Sequence, residues 1–210
     1  MSEADREKWD ARYREGAYVE RKHPSAMLAE WLPRLELDEL PRRALDVASG
    51  SGRNALFLAR AGWQVDAIDI SEVALERLRE RAEREGLPVR ALACDLEPED
   101  AVAPPLPVAG PYGLVLVIRY TQLSLLGRLA ERLAPGGYLL VELHLTTDAD
   151  VIGPADARFR VAPGTLRRAA EGLEVVHYEE GIVTDPDGRR AALARLLARR
   201  RASTRAGRPA

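Results

Sequence analysis

The chain has 210 residues, of which 46% are hydrophobic and 30% charged, and its formal net charge is −2. This length suits one α/β domain, no apolar run approaches the roughly 20 residues that a bilayer span needs, and the single cysteine, Cys94, excludes an intramolecular disulfide. Both signs of charge are mixed along the chain, so neither a membrane nor a nucleic acid is an expected partner, and the charged start without an apolar stretch predicts a cytoplasmic protein.

The predicted elements begin with two helices, over 2–18 and 25–35. Trp9 and Tyr13 recur on one face of the first helix, and a core-facing apolar stripe marks the second. From position 44 onward, short apolar runs alternate with helical patterns, which is typical of βαβ units and a largely parallel sheet. The predicted strands are 44–48, 64–69, 89–93, 112–118, 138–143 and 173–179, and the predicted helices are 54–61, 72–85, 124–133 and 165–171. Segment 190–199 has helix-forming composition, yet after the turn at 185–188 it equally fits an edge strand.

The most informative segment is 45–55, LDVASGSGRNA, in which a strand enters a glycine-bearing turn that opens a helix. Gly50 and Gly52 allow a ligand to approach the backbone more closely than a Cβ permits. Asp69 follows Gly52 by 17 positions and ends the next strand, where a carboxylate accepts hydrogen bonds from both hydroxyls of a ribose. Each residue alone also fits a structural role, with Asp69 capping the turn at Ser71 and the glycines forming a tight turn. Their combination predicts a nucleoside-type ligand.

Two ligand classes fit this pattern. The run 50–55, GSGRNA, satisfies the G-x-G-x-x-G/A form of nicotinamide dinucleotide sites, in which a pyrophosphate lies on the helix N-terminus. S-adenosylmethionine has no phosphate, and its site needs the glycine turn, the acid of the second strand and a third acid near the adenine. Asp95 occupies that third position.

The runs 45–55, 65–71 (VDAIDIS), 91–96 (ALACDL), 112–120 and 133–139 together resemble the class I S-adenosylmethionine-dependent methyltransferases. Within that family they are similar to the tellurite-resistance-like and thiol-methyltransferase-like branch. The resemblance implies a Rossmann-like, doubly wound, seven-stranded and mostly parallel α/β sheet whose last strand, 190–199, is antiparallel. It also implies one domain over 1–200, with a helical cap at 1–40 and a core at 41–200, before a disordered basic tail at 201–210. One departure is Ala48, where the family usually has glycine.

The resemblance also implies the residues that contact S-adenosylmethionine. The methionine portion would contact the glycine turn, and the ribose would contact Asp69. The adenine would contact Asp95 and two apolar side chains. The full predicted set is Asp46, Ala48, Gly50, Gly52, Asn54, Asp69, Ile70, Asp95, Leu96 and Ile118, with Trp9 and Tyr13 as a lid. For Trp9 and Tyr13, packing of an amphipathic helix is the alternative. No metal site is expected, because the three histidines are far apart in the sequence.

The acceptor side is predicted where the fourth strand ends, at Arg119 and Tyr120. Relatives that methylate nitrogen often carry an Asn-Pro-Pro-Tyr type of sequence there, which this chain lacks. We therefore expect methyl transfer to a small anionic or soft nucleophile such as a thiol, a metalloid oxyanion or a small metabolite. Arg119 would hold the acceptor, Tyr120 would orient it and His144 would act as a base. The alternatives are that Arg119 only pairs with an acid, that Tyr120 only packs, and that His144 has a structural role. An NAD(P)-dependent oxidoreductase and a non-catalytic relative that binds S-adenosylmethionine remain alternative functions.

Overall fold

The computed structural model describes residues 3–16, 18–97 and 105–202. The helices are α1 (Glu3–Arg14), α2 (Ala26–Trp31), α3 (Arg53–Arg60), α4 (Glu72–Arg84), α5 (Leu125–Glu131) and α6 (Thr165–Ala169). The strands are β1 (Arg43–Val47), β2 (Gln64–Asp69), β3 (Val89–Ala93), β4 (Tyr112–Ile118), β5 (Leu133–His144), β6 (Glu174–Thr184) and β7 (Arg190–Arg199). None of the helices in these ranges combines the length and the apolar character that a membrane span requires.

The strands form one seven-stranded sheet in the order β3-β2-β1-β4-β5-β7-β6. The pairs from β3 through β5 are parallel, whereas β7 is antiparallel to both of its neighbours. This architecture confirms the predicted fold class. The chain builds outward from β1 to β3 and then returns to place β4 on the other side of β1, so a crevice opens at the carboxyl ends of β1 and β4.

Two apolar clusters cover the two faces of the sheet. One includes Val115 and Leu139 and packs against α5 and α6, and the other includes Leu114 and Trp63 and packs against α2, α3 and α4. Every residue of β4 is buried, as expected of an apolar run that is covered on both faces. The core therefore fixes the strands whose carboxyl ends form the crevice.

Segment 190–199 is a strand, as the family resemblance implies, despite its helix-forming composition. Ala191 through Ala198 are all buried, and the segment pairs with β5 on one side and with β6 on the other. Burial and pairing on both edges outweigh intrinsic propensity here, because strand preference depends strongly on the surrounding sheet.

Two predicted boundaries differ from the structure for local reasons. The second helix ends at Trp31 and continues only as the 3₁₀ turn Leu32–Arg34, because Pro33 has no N–H to donate to the helix. The fifth strand begins at Leu133 rather than 138, and it includes residues 135–137 as an irregularity where the register with β4 shifts. Of the predicted basic tail, residues 203–210 lie outside the described part of the chain.

Candidate functional site

A cavity of about 670 Å³ opens at the carboxyl edge of the sheet, above β1, β2, β4 and β5. Helix α1 and the segment 151–159, which follows β5, both line it. Its volume falls within the range of small-molecule and cofactor sites. The cavity therefore has room for an organic ligand at the topological switch point.

The glycine turn forms the floor at one end. Ala48, Gly50 and Gly52 all have positive φ, at 54°, 53° and 80°. The hydroxyl of Tyr13 lies so close to Gly50 that a Cβ there would collide with it, and a Cβ on Gly52 would collide with Leu78 beneath the turn. Both glycines thus allow a neighbouring side chain to lie against the backbone. Ala48 adopts a conformation that is rare for residues other than glycine, asparagine and aspartate.

Asp69 anchors this turn. Its Oδ2 accepts a hydrogen bond from the Gly50 N–H at 2.7 Å, and its Oδ1 accepts one from the Ser71 N–H at 2.9 Å. Burial raises the pKa of Asp69, and the backbone donors oppose that rise. The Ile70 N–H also interacts with this carboxylate. Because its two oxygens have about four lone pairs together, these backbone donors leave acceptor capacity for a hydroxyl in the cavity, which Asp69 lines.

The remaining predicted cofactor residues divide into two groups. Ile70, Leu96 and Ile118 line the cavity, as do Ala48, Gly50 and Asn54. Among the described residues, the lining does not include Asp46, Gly52 or Asp95. The Asp95 carboxylate accepts a hydrogen bond from the Glu97 N–H at 2.8 Å, and Asp46 is buried beneath the turn, where desolvation raises its pKa to about 7. Cofactor contacts of these three residues stay predictions.

Helix α1 lies over the glycine turn and is fastened beside it. Trp9 and Tyr13 line the cavity. Asp10 accepts hydrogen bonds from the Ser71 hydroxyl at 2.6 Å and from the Val73 N–H at 3.3 Å, at the start of α4. The cap of the helix that follows Asp69 therefore also holds α1 in place.

Arg119 lies at the β4 end of the cavity, where β4 runs beside β1, and is part of a buried charge network. Its Nε lies 3.0 Å from Glu142, and one of its terminal nitrogens lies 2.7 Å from Asp185 in the β6–β7 turn. Glu142 also accepts a hydrogen bond from the hydroxyl of Ser25 and pairs with Arg195. The other terminal nitrogen, Nη1, is buried without a partner among the described residues. Arg119 thus forms the ion pairs of the alternative interpretation, and its Nη1 is enclosed by the protein.

Tyr120 and His144 complete this end. The Tyr120 hydroxyl donates to Glu97, and burial together with this hydrogen bond raises the pKa of Tyr120 well above its ordinary value. Burial, reinforced by the nearby Arg119, lowers the pKa of His144 to about 3. His144 is therefore neutral near pH 7, and its Nδ1 has no partner within the described residues.

Several residues that line the cavity were not among the site residues predicted from the sequence. Arg21 lies at the cavity, and none of the carboxylates in the described ranges forms an ion pair with it; its guanidinium stacks over the Tyr18 ring at 5.1 Å. Burial and the charge of Arg119 lower the pKa of Arg21. Val151, Ile152 and Phe159 form the far wall. Of these unpredicted lining residues, only Arg53 could have been expected from the sequence, because it directly follows Gly52 in the glycine turn.

Comparison with known proteins places these features in a family context. Residues 44–137 match the family model described as a methyltransferase domain. The chain is 32% identical to Hemagglutinin 1 of Eikenella corrodens over 71% of its own length and 51% of that protein's. It is 27% identical to TehB of Haemophilus influenzae, described as a probable S-adenosyl-L-methionine-dependent methyltransferase, over 77% of this chain and 58% of that one. The chain thus spans little more than half the length of these curated relatives.

Solved structures show the same fold. The crystal structure of TehB from Haemophilus influenzae superimposes with a TM-score of 0.67 at 23% identity, covering 88% of this chain and 66% of that one.

Proposed function

From the premise that residues 44–137 form a methyltransferase domain of class I, we propose that the protein transfers a methyl group from S-adenosylmethionine to a small anionic acceptor. The family predicted from the sequence, with its TehB-like branch, is the one that these matches support. One observation carries the acceptor half of the proposal: Arg21 lines the cavity close to Arg119, and none of the carboxylates in the described ranges forms an ion pair with it, so its charge is available to a bound anion.

The cofactor end fits S-adenosylmethionine by the chemistry of its donors and its space. Gly50 lets the Tyr13 hydroxyl lie against the turn, and the Ser49 hydroxyl is buried at the cavity without a hydrogen-bond partner among the described residues. Asp69 has lone pairs for the ribose hydroxyls, and Ile70 and Leu96 provide apolar surface for the adenine. When bound, the cofactor supplies a methyl group on a sulfonium, which an aligned nucleophile displaces in line.

The acceptor end supports an acceptor that arrives already ionised. A protonated nucleophile would need a base, yet a histidine with a pKa of about 3 is a weak one, and Glu97 is engaged by Tyr120. An anion needs only to be held and desolvated, for which arginine is well suited. We therefore assign Arg119 and Arg21 to holding the acceptor, and His144 to a hydrogen bond through its neutral ring.

Calorimetry with S-adenosylmethionine and with nicotinamide dinucleotide, side by side, tests this proposal. The wild-type protein should bind only S-adenosylmethionine. Asp69→Asn should weaken that binding by about 100-fold, because two charge-assisted hydrogen bonds to the ribose are lost or misaligned. Asp66→Asn is the matched control: it lies on the same strand but pairs with Arg43 and Arg90 away from the cavity, so affinity should persist. Binding of the dinucleotide alone would contradict the proposal.

We further propose that residues 1–40 act as a cap over this site, with α1 as a lid. Trp9→Ala in the same titration should weaken binding of S-adenosylmethionine about tenfold through loss of aromatic cover. Unchanged affinity in a folded Trp9→Ala protein would leave α1 with a packing role only.

A further inference from the structure

The acceptor end of the cavity combines positive charge with an apolar wall. The wall consists of Val151, Ile152, Pro154 and Phe159, all of which line the cavity. It faces the end of β4, where Arg119 lies. Phe159 is 41% exposed although it is large and apolar, and the Arg158 guanidinium stacks over its ring at 5.6 Å. Exposed apolar surface beside a binding site is typical of surface that a ligand covers.

The wall is a built feature, because backbone hydrogen bonds fasten both ends of its segment. At one end, the Ile152 N–H donates to the Arg190 carbonyl at 2.8 Å, and just past the other end the Val161 N–H donates to the His144 carbonyl at 2.8 Å. At the other, the Thr121 hydroxyl donates to the Phe159 carbonyl at 3.1 Å. These contacts hold the apolar side chains at a fixed distance from the charged groups of the sheet edge.

Resting on the function proposed above, we infer that the acceptor is an organic anion with a hydrocarbon body, a carboxylate or a thiolate, and not an inorganic oxyanion. Its ionised head group lies at Arg21, close to the charge of Arg119, and its hydrocarbon body lies on the wall. An inorganic oxyanion is polar on every side and gains nothing from apolar surface, whereas a hydrocarbon body gains affinity in proportion to the area that it buries.

The chemistry balances without a base. The carboxylate oxygen or thiolate sulfur supplies the electron pair for the new bond to the methyl carbon. The bond between that carbon and the sulfonium breaks, and its electron pair stays on the cofactor sulfur. One anion and one sulfonium give a methyl ester or thioether and S-adenosylhomocysteine, and no proton has to be removed.

The test measures acceptor binding without turnover, by calorimetry on the full chain saturated with S-adenosylhomocysteine. The probes are acetate, butanoate, hexanoate and octanoate, then alkanethiols of matched length, then selenite and tellurite. Affinity should rise about fourfold for each methylene until the wall is covered. The head group that binds, carboxylate or thiolate, identifies the nucleophile.

Three variants separate the parts of this inference. Phe159→Ala should flatten the dependence on chain length, whereas Val176→Ala removes an apolar side chain that is 43% exposed on β6, outside the wall, and should leave it unchanged. Arg21→Gln should weaken every anion about equally and keep the dependence on length.

The outcomes distinguish this inference from the function on which it rests. Suppose that S-adenosylhomocysteine binds, but that chain length has no effect or that only selenite and tellurite bind. Either outcome overturns the inference and leaves the proposed methyl transfer intact. Failure of S-adenosylhomocysteine itself to bind overturns both. A length dependence that Phe159→Ala abolishes supports the organic anion.

Discussion

The two ends of the cavity are built in different ways. At the cofactor end, Asp69 reaches backbone N–H groups of Gly50 and Ser71, which lie 19 and 2 positions away in the sequence. At the acceptor end, Arg119 meets Glu142 and Asp185, which lie 23 and 66 positions away. A turn and its neighbouring strand suffice for the first end, whereas the second exists only once most of the sheet has assembled.

The largest effect is expected from the charge network of the acceptor end. Glu142→Ala should lower the free energy of unfolding by about 3–5 kcal/mol, because it leaves Arg119 and Arg195 buried without their shared carboxylate. Urea denaturation measures the loss. The control is Glu179→Ala, which removes a carboxylate that is 46% exposed and also pairs with Arg195, and should cost less than about 1 kcal/mol. Similar losses in both proteins would show that burial of this network is not what stabilises it.

His144 and Asp46 should make the free energy of unfolding depend on pH in opposite directions. The pKa of His144 is lowered to about 3 in the folded protein, against about 6.5 in the unfolded chain. As the pH falls below about 6.5, the unfolded chain takes up a proton that the folded protein does not, so the free energy of unfolding falls. Asp46 has its pKa raised to about 7, so the folded protein keeps a proton that the unfolded chain releases, and stability falls as the pH rises from about 4.

Single variants separate these opposing effects. Between about pH 6.5 and about pH 5, the stability of His144→Asn should rise by about 2 kcal/mol relative to wild type, and that of Asp46→Asn should fall by about as much. Denaturation curves for the three proteins at both pH values give the comparison. Shifts of the same sign would contradict the assignment of the two groups.

The smallest effect concerns the backbone of the cofactor end. Ala48→Gly should raise the free energy of unfolding by about 1 kcal/mol, because glycine adopts a φ of 54° without the strain of a Cβ. The control, Ala29→Gly on the exposed face of α2, should lower it by about 1 kcal/mol through lost helix propensity. Equal losses at both positions would show that Ala48 is unstrained.

This contrast explains which parts of the protein the sequence predicts. The strands around the glycine turn and the position of Asp69 follow from linear order, because a strand, a turn and a helix leave their pattern in consecutive residues. Arg119 and Tyr120 follow from their place after β4. The partners of Arg119, Glu142 and Asp185, do not, since nothing in the local sequence pairs residues so far apart.

Two features lay beyond any local pattern. Arg21 lies in an irregular stretch between α1 and α2, so no periodicity directs it to the cavity. The wall at 151–159 is a loop whose apolar residues follow neither a helical nor a strand repeat, and only its backbone bonds to β5 and β7 place it. For β7 the local sequence left two alternatives, because the composition favours a helix and the preceding turn equally fits an edge strand, and the family resemblance favoured the strand.

The placement of Asp185 has a consequence for how such a protein diversifies. It lies in an exposed turn between β6 and β7, yet it fixes the orientation of Arg119 inside the cavity. Turns of this kind tolerate insertions and substitutions that a sheet does not. Under the proposed function, substitutions in this turn would change the surroundings of Arg119, and with them the choice of acceptor, without altering the glycine turn or Asp69.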